Sequence, residues 1–133
     1  MSEIKKFDMP KSLEGSMYSA ILATANMYPD NLAIECGTDK LTYSQLLRLI
    51  SAENRRLAAL GVGTGSRVAI VLPNSVRAVV AVYAANALGA AAVMCPTFIQ
   101  AERLCSTVAA LGCRAAFVAE GAEIPLGDCA VIT

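Results

Sequence analysis

One continuous stretch decides the fold of this chain: residues 67–96 read RVAIVLPNSVRAVVAVYAANALGAAAVMCP. The stretch opens with a short β-branched run at residues 68–72, breaks at a Pro-Asn-Ser turn, and continues as an apolar segment to Leu88. After Gly89 it returns to a second short run at residues 90–95. Uninterrupted apolar runs are typical of strands that are buried on both faces of a parallel sheet. The stretch therefore predicts a strand, a helix and a second parallel strand, joined by a right-handed crossover.

The sequence on either side of this unit predicts further helices and strands. Thr42 followed by Gln45 has the form of a capping box, so a helix is expected to begin there and to end at Gly61. In chain order, helices are predicted at residues 16–27, 43–60, 76–88 and 100–111, and strands at residues 32–36, 41–43, 68–72, 90–95, 115–119 and 129–133. The predicted class is α/β, with a mostly parallel sheet and flanking helices. We expect residues 1–15 to be a loosely ordered lead-in and residues 16–133 to form a partial α/β domain.

Apolar spacing within the first two helices predicts which side chains face the core. The expected core-facing residues are Met17, Ile21, Leu22, Ala25, Leu46, Leu47, Leu49, Ile50, Leu57 and Leu60. The solvent side of the second helix carries most of its charge, at Arg48, Glu53, Arg55 and Arg56. These arginines, and Arg77 on the next helix, have no interleaved aromatic residues. We expect them on solvated faces and not at a nucleic-acid surface.

Length and composition exclude several classes of protein. The chain has 133 residues, a net charge of zero and a hydrophobic share of 56%. This length suits one domain, and the zero net charge gives no electrostatic footprint for nucleic acid. The N-terminus lacks the features of a secretory signal. The uncharged run at residues 78–95 is long enough for a membrane helix, but Asn86, Gly89, Pro96 and its many alanines argue against a membrane span.

The cysteines indicate core packing and a reducing compartment. They are Cys36, Cys95, Cys105, Cys113 and Cys129. Their number is odd, none has C-x-x-C spacing, and the chain has no histidine, so a zinc site is not expected. Thiols inside apolar runs pack as small hydrophobic groups. We therefore expect reduced thiols and a cytoplasmic location.

No catalytic, cofactor-binding or metal-ligating residue is predicted. Without histidine, Ser-His-Asp and Cys-His mechanisms lack their base. The sequence GVGTGS at residues 61–66 is glycine-rich, but a helix precedes it and a strand follows, the reverse of the order in a phosphate loop. We interpret it as a helix stop and a turn. Glu120, Glu123 and Asp128 are expected to be solvated loop charges, because no spacing places two of them against an apolar wall.

The Pro-Asn-Ser turn is the one position where the order of elements is compatible with ligand contact. Pro73, Asn74 and Ser75 follow the carboxyl end of the first central strand, where open α/β sheets bind their ligands. Pro73 also stops the strand, and Asn74 or Ser75 can cap the helix that follows. Capping and ligand contact are compatible, and both interpretations stay open.

Four pieces of sequence carry a resemblance to a known family. They are Tyr28-Pro29-Asp30, Leu41-Thr42-Tyr43-Ser44-Gln45-Leu46, Leu60-Gly61-Val62-Gly63, and Arg67-Val68-Ala69-Ile70 leading to Leu72-Pro73-Asn74-Ser75. In this order and spacing they resemble the N-terminal segment of adenylate-forming enzymes: acyl-CoA synthetases, peptide-synthetase adenylation domains and luciferases. The Leu-Pro-Asn-Ser piece resembles the acyl-CoA ligase branch more closely. Ala-Leu-Gly at residues 87–89 and Cys-Pro at residues 95–96 depart from the usual Lys-Ala-Gly and Asn-Pro or Asp-Pro.

The resemblance implies part of an enzyme that activates a carboxylic acid with ATP and Mg2+. An acyl-adenylate forms first, and a thiol such as that of coenzyme A then takes the acyl group. In the family, this chemistry is carried by a Ser/Thr/Gly-rich loop ending in Pro-Lys and by a mobile C-terminal domain, neither of which occurs in this sequence. The resemblance therefore transfers no site residue and implies a fragment that is inactive alone. Because the last predicted strand resembles an interior strand, we expect that Thr133 is not a natural domain end.

Two other functions stay open at this stage. The chain could be a free-standing interaction module whose exposed sheet edge pairs with a second chain, including a second copy of itself. It could also be a doubly wound nucleotide-binding domain, although the glycine fingerprint of that class is missing after the first parallel strand.

Overall fold

The computed structural model describes residues 15–122 and 124–133, which form four helices and six strands. In chain order these are α1 (Met17–Met27), β1 (Leu32–Cys36), β2 (Asp39–Thr42), α2 (Tyr43–Ala59), β3 (Arg67–Val71), α3 (Val76–Ala87), β4 (Ala91–Met94), α4 (Ala101–Leu111), β5 (Ala115–Val118) and β6 (Ala130–Ile132). Each predicted helix and strand is found at or near its predicted position. Apart from its last residue, the predicted lead-in at residues 1–15 lies outside the described residues.

Strands β3 to β6 form one parallel sheet in the order β4-β3-β5-β6. Val68 of β3 pairs in register with Ala92 of β4 on one side and with Ala115 of β5 on the other. The remaining strands, β1 and β2, form a separate antiparallel hairpin. Because β3 and β4 are parallel and α3 connects them, the predicted strand–helix–strand unit is confirmed.

Helices cover both faces of the parallel sheet. Alternate side chains of a strand point to opposite faces, so Val68 and Ile70 of β3 pack in one core with α2 and α3, whereas Ala69 and Val71 pack in a second core with α4. Phe117 of β5 is the largest fully buried side chain and belongs to the first core. The central strands β3 and β5 are therefore buried on both faces, as their continuous apolar runs predict.

Burial on both faces, which the second apolar run predicts, is not found in β4, whose four residues are exposed or half-buried. Within the described residues, β4 and β6 are the outermost strands of the sheet, and Met94 is 61% exposed and Val131 is 40% exposed. An apolar run indicates that a strand packs under a helix, but it does not report whether another strand lies beside it. The uncharged run at residues 78–95 is divided between α3 and β4. Among the described helices, none has the length and hydrophobicity needed to cross a membrane.

Two predicted core-facing positions in the helices are exposed. Met17 is 50% exposed, and its neighbour Tyr18 packs against the first core instead. Leu49 is 43% exposed, because α2 turns Leu46 and Ile50 toward the sheet, and Leu49 lies to one side of that stripe. Helical periodicity locates the apolar face of a helix, but the width of the buried stripe depends on the partner that covers it.

The predicted caps are present at the ends of α2. The Thr42 hydroxyl accepts a hydrogen bond from the Gln45 backbone N–H at 3.2 Å, and the Gln45 side-chain oxygen accepts one from the Thr42 N–H at 2.8 Å. Together they complete the capping box. At the other end, Gly61 has a left-handed φ of +85°, which ends the helix. Residues 61–66 are therefore a helix stop and a turn before β3, as predicted.

We expect Gly89→Ala to lower the free energy of unfolding by about 2–3 kcal/mol, because two costs add. Gly89 has a φ of +78°, and a Cβ there would lie 2.8 Å from the Thr64 hydroxyl oxygen. Gly112→Ala is the matched control, since Gly112 also has a positive φ, +60°, but open space around it. The control substitution should lower the free energy of unfolding only by the conformational cost of about 1–2 kcal/mol. Equal losses in urea denaturation would contradict a steric contribution from Thr64.

Candidate functional site

The carboxyl ends of all the parallel strands lie at one end of the sheet, the carboxyl edge, where β3 and β4 end side by side. Strand β3 leads into α3, which packs in the first core, whereas β4 leads into α4, which packs in the second core on the opposite face. Neighbouring strands whose connections leave toward opposite faces create a crevice between their carboxyl ends. Open α/β sheets bind their ligands in such a crevice, so this edge is the candidate site.

An open cavity of about 460 Å³ lies at this position, and we call it the carboxyl-edge crevice. It is lined by Leu72, Pro73, Asn74, Met94, Cys95, Pro96, Thr97 and Phe98. Phe98 is 86% exposed and Met94 is 61% exposed, so much of the wall is apolar surface in contact with solvent. Asn74 and Thr97 supply an amide and a hydroxyl. A wall that combines apolar side chains with a few hydrogen-bonding groups is typical of small-molecule sites.

Position, and not volume, selects this crevice. A cavity of about 480 Å³ lies at the amino ends of β5 and β6, where Cys113, Leu126 and Cys129 contribute to its lining. That end of a parallel sheet is not where open α/β folds bind ligands. The larger cavity is therefore a packing feature beside α4 and not a second candidate site.

Ser75 is the cap of α3. Its hydroxyl oxygen accepts a hydrogen bond from the Ala78 N–H at 3.2 Å, and the hydroxyl donates to the Pro73 carbonyl at 2.9 Å. The predicted capping role of the turn is thus confirmed for Ser75. Asn74 is exposed and lines the crevice. Contact between Asn74 and a ligand stays a prediction.

The crevice lining contains no side chain suited to acid–base chemistry near neutral pH. Its one thiol is Cys95, whose pKa is raised by burial, so the thiol stays protonated. Within residues 15–122 and 124–133, no cluster of three or more His, Cys, Asp or Glu side chains could hold a metal ion. The described lining of the crevice therefore combines apolar side chains with one amide, one hydroxyl and one protonated thiol.

The other residues singled out in the sequence do not gather at the crevice. Glu120 and Asp128 are exposed in loops, as expected for solvated charges, and Glu123 lies outside the described residues. Arg77 contradicts its prediction. It is half-buried, and its guanidinium bonds to backbone carbonyls instead of facing solvent. The sequence pattern missed Met94 and Phe98. Met94 ends β4 and Phe98 lies in the loop that follows, so both lie at the same end of the sheet as the Pro-Asn-Ser turn.

Thiol labelling should separate the buried cysteines from the others. Burial raises the pKa of Cys129 to about 11, and the neighbouring Cys113 thiol adds to the increase. Because the thiolate is the reactive form, iodoacetamide at pH 8 should modify the half-buried Cys36 and Cys105 well before Cys95, Cys113 and Cys129. The labelling rate of Cys129 should rise as the pH approaches 11. Mass spectrometry of digested samples measures this order, and urea-unfolded chain, in which the order should vanish, is the control.

Comparison with known proteins identifies the family. The sequence model of the AMP-binding enzyme family matches residues 21–131, so this chain belongs to the AMP-binding enzyme family. It is 29% identical over 89 residues to 2-succinylbenzoate–CoA ligase of Bacillus cereus, and this match covers 67% of this chain and 18% of the ligase. It is 38% identical over 103 residues to D-lysergyl-peptide-synthetase subunit 1 of Epichloe festucae var. lolii, which covers 75% of this chain and 3% of that protein.

Solved structures share the fold. O-succinylbenzoate coenzyme A synthetase of Bacillus subtilis, solved in complex with AMP, matches with a TM-score of 0.77 at 22% identity. That match covers 88% of this chain and 31% of the solved one. The predicted membership of the adenylate-forming superfamily and the predicted α/β class are confirmed. The chain spans 18% of the length of the Bacillus cereus ligase, less than a fifth.

Proposed function

We propose that this chain is the N-terminal part of an ATP-dependent acyl-CoA synthetase. The observation that carries the proposal is the match to the AMP-binding enzyme family over residues 21–131. The similarity to 2-succinylbenzoate–CoA ligases supports the acyl-CoA branch, as does the Leu-Pro-Asn-Ser sequence at residues 72–75. The substrates of the complete enzyme are a carboxylic acid, ATP and coenzyme A.

The proposed reaction has two displacements. A carboxylate oxygen of the acid attacks the α-phosphorus of ATP, a P–O bond breaks, and pyrophosphate leaves. The thiol of coenzyme A then attacks the acyl carbon of the adenylate, its proton is lost, and AMP leaves. Developing negative charge on the phosphoryl oxygens requires cationic groups, which Mg2+ supplies in part.

The described residues suit a supporting role in this reaction. The carboxyl-edge crevice offers Asn74 and Thr97 as hydrogen-bonding groups, and the described side chains form no carboxylate cluster that fits Mg2+. We therefore assign no catalytic step and no metal ligand to this chain, and we propose that it is inactive alone. A cytoplasmic location is part of the proposal, supported by the free cysteines.

ATP–pyrophosphate exchange tests the proposal. The 133-residue chain and the protein encoded by its entire natural reading frame are assayed with Mg2+ and a panel of carboxylic acids that includes 2-succinylbenzoate. The 133-residue chain should give no exchange above a heat-denatured control. The longer product should exchange pyrophosphate with at least one acid and form a thioester when coenzyme A is added.

Each outcome bears on one part of the proposal. Exchange by the 133-residue chain would overturn the proposed inactivity. A reading frame that ends at Thr133, or a longer product that activates no acid, would overturn the proposed synthetase.

A second candidate function is a free-standing interaction module, and the free edge of β4 favours it. The strand Ala91–Met94 has no charge and no proline, and within the described sheet only β3 pairs with it. Natural edge strands usually carry charges, prolines or bulges that block pairing with another chain. Met94, 61% exposed, adds an apolar side chain at this edge. The partner would be a second chain, including a second copy of this one.

Light scattering at increasing concentration tests the interaction module. If β4 pairs between copies, the chain should form a dimer, and Met94→Lys should shift it toward monomer by placing like charges at the new interface. Val131→Lys, at the opposite sheet edge, is the matched control and should leave the dimer intact. A strict monomer at high concentration counts against self-association.

A further inference from the structure

Arg77, in the first turn of α3, contacts the ends of two strands. Its Nη1 donates to the Val118 carbonyl at 2.9 Å, and its Nη2 donates to the Ile132 carbonyl at 3.1 Å. These carbonyls end β5 and β6, so a single guanidinium spans two neighbouring strands. The guanidinium carbon also lies 5.8 Å from the centre of the Phe117 ring, within the range of a cation–π contact.

The chemistry of arginine suits this position. A backbone carbonyl at the carboxyl end of a parallel strand lies beyond the last strand N–H that could donate to it. Buried backbone carbonyls need a hydrogen-bond donor, so another group must supply one. The planar guanidinium carries several donors in a fixed fork and can satisfy two carbonyls at once, which a lysine ammonium does less well. Among the described residues, Arg77 has no carboxylate within ion-pair distance. Its charge is therefore balanced by carbonyl dipoles and the Phe117 ring.

Strand β6 has few other attachments. It is three residues long, and in the part of the chain that the structure describes it pairs with β5 alone, through three residue pairs. Ile132 is buried in the first core, whereas Val131 is 40% exposed. A short edge strand with one neighbour opens more easily than a central strand. The hydrogen bond from Arg77 ties the end of β6 to the first turn of α3. Helix α3 follows β3, and β5 lies between β3 and β6 in the sheet.

We propose that Arg77 is a conformational latch that holds the carboxyl end of β6 against the first turn of α3. With the latch closed, α3, β5 and β6 share one fixed carboxyl edge, and that edge includes the turn at Ser75 next to the crevice. With the latch open, β6 separates from the sheet while β3 and its two neighbours stay paired. The latch is independent of the proposed synthetase, because it is defined by contacts within this chain.

Hydrogen–deuterium exchange of the 133-residue chain tests the latch. The reporter is the backbone of β6, where the Ala130 N–H donates to the Arg114 carbonyl at 3.1 Å, and β3 is the internal reference. Arg77→Met keeps an unbranched apolar stem and removes the guanidinium with its donors. It should speed exchange in β6 about tenfold, the effect of losing roughly one charge-assisted hydrogen bond, and leave exchange in β3 unchanged.

Two further variants make the test specific. Arg77→Lys keeps the charge but not the fork, and should restore less than half of the lost protection on a logarithmic scale. Arg67→Met is the matched control, because Arg67 also donates to a backbone carbonyl, that of Leu111 at 2.8 Å, but at the amino edge of the sheet. It should leave β6 exchange unchanged.

The proposal is overturned if β6 exchanges at the wild-type rate in both Arg77 variants. It is also overturned if exchange in β6 and β3 rises equally, because that pattern indicates global destabilisation. If Arg77→Met does not fold, the comparison of Arg77→Lys with Arg67→Lys under the same criteria decides the outcome. Pyrophosphate exchange is not a readout here, so failure of the latch and failure of the proposed enzyme function are distinguishable.

Discussion

Replacing Phe117 with alanine should lower the free energy of unfolding by about 3–5 kcal/mol, the largest effect expected of any single truncation in this chain. Phe117 is fully buried in β5, a strand with all four residues buried and with a neighbour on each side. Truncation removes apolar burial and leaves a cavity that cannot collapse, because β5 is held by a paired strand on each side. It also removes the ring beneath the Arg77 guanidinium. Equilibrium urea unfolding, followed by circular dichroism, measures the loss.

Phe98→Ala is the control for this prediction. The substitution deletes the same atoms, but Phe98 is 86% exposed in the loop after β4. Its effect on stability should stay within about 0.5 kcal/mol, as is usual for exposed positions. Because a domain of this size is stable by only about 5–15 kcal/mol, the two variants should differ clearly in their urea midpoints. Similar midpoints would show that Phe117 is not a central core residue.

The central unit could be predicted because its signals are local. The strand predicted at residues 68–72 is β3 at Arg67–Val71, and the helix predicted at residues 76–88 is α3 at Val76–Ala87. Turn residues with strong backbone preferences mark the ends of these elements, and continuous apolar runs mark burial on both faces. The capping box at Thr42 is equally local, since both of its bonds lie within four residues.

Strand order could not be predicted from such signals. Two strands with similar apolar sequences, β4 and β5, differ in that one is an edge and the other is central. This difference depends on which strand the chain joins after α4, a long-range choice with no mark in the strand itself. The exposure of Met94 follows from that choice. The same holds for Arg77, whose partners at Val118 and Ile132 lie 41 and 55 residues away.

Only one wall of the candidate site could be predicted from the sequence, for a related reason. The Pro-Asn-Ser turn is recognisable because it follows a strongly predicted central strand, and the position of a turn in an α/β fold indicates its relation to ligands. The opposite wall, from Met94 to Phe98, becomes part of the site only when β4 pairs with β3 in parallel. A chain read only for local patterns shows one wall of such a crevice, because the second wall comes from the next parallel strand.

The alanines of α3 show that the same stretch sets how closely α2 and α3 approach each other. Ala81, Ala84 and Ala85 are fully buried, and the Asn54 amide of α2 donates to the Ala84 carbonyl at 3.3 Å. A contact this short between a side chain of one helix and the backbone of another needs small residues at the interface. The many alanines therefore reflect close packing between α2 and α3 and not a weak core.

Ala84→Leu should therefore destabilise the chain by about 1–3 kcal/mol, although leucine is larger, more hydrophobic and nearly as good a helix former. The added atoms have no free volume between α2 and α3, so the helices must separate and the Asn54 bond must lengthen. Ala110→Leu, on the exposed side of α4, is the matched control and should change stability by less than about 0.5 kcal/mol. A stabilising effect of Ala84→Leu in urea unfolding would mean that the interface contains unfilled space, and that close approach is not the reason for the alanines.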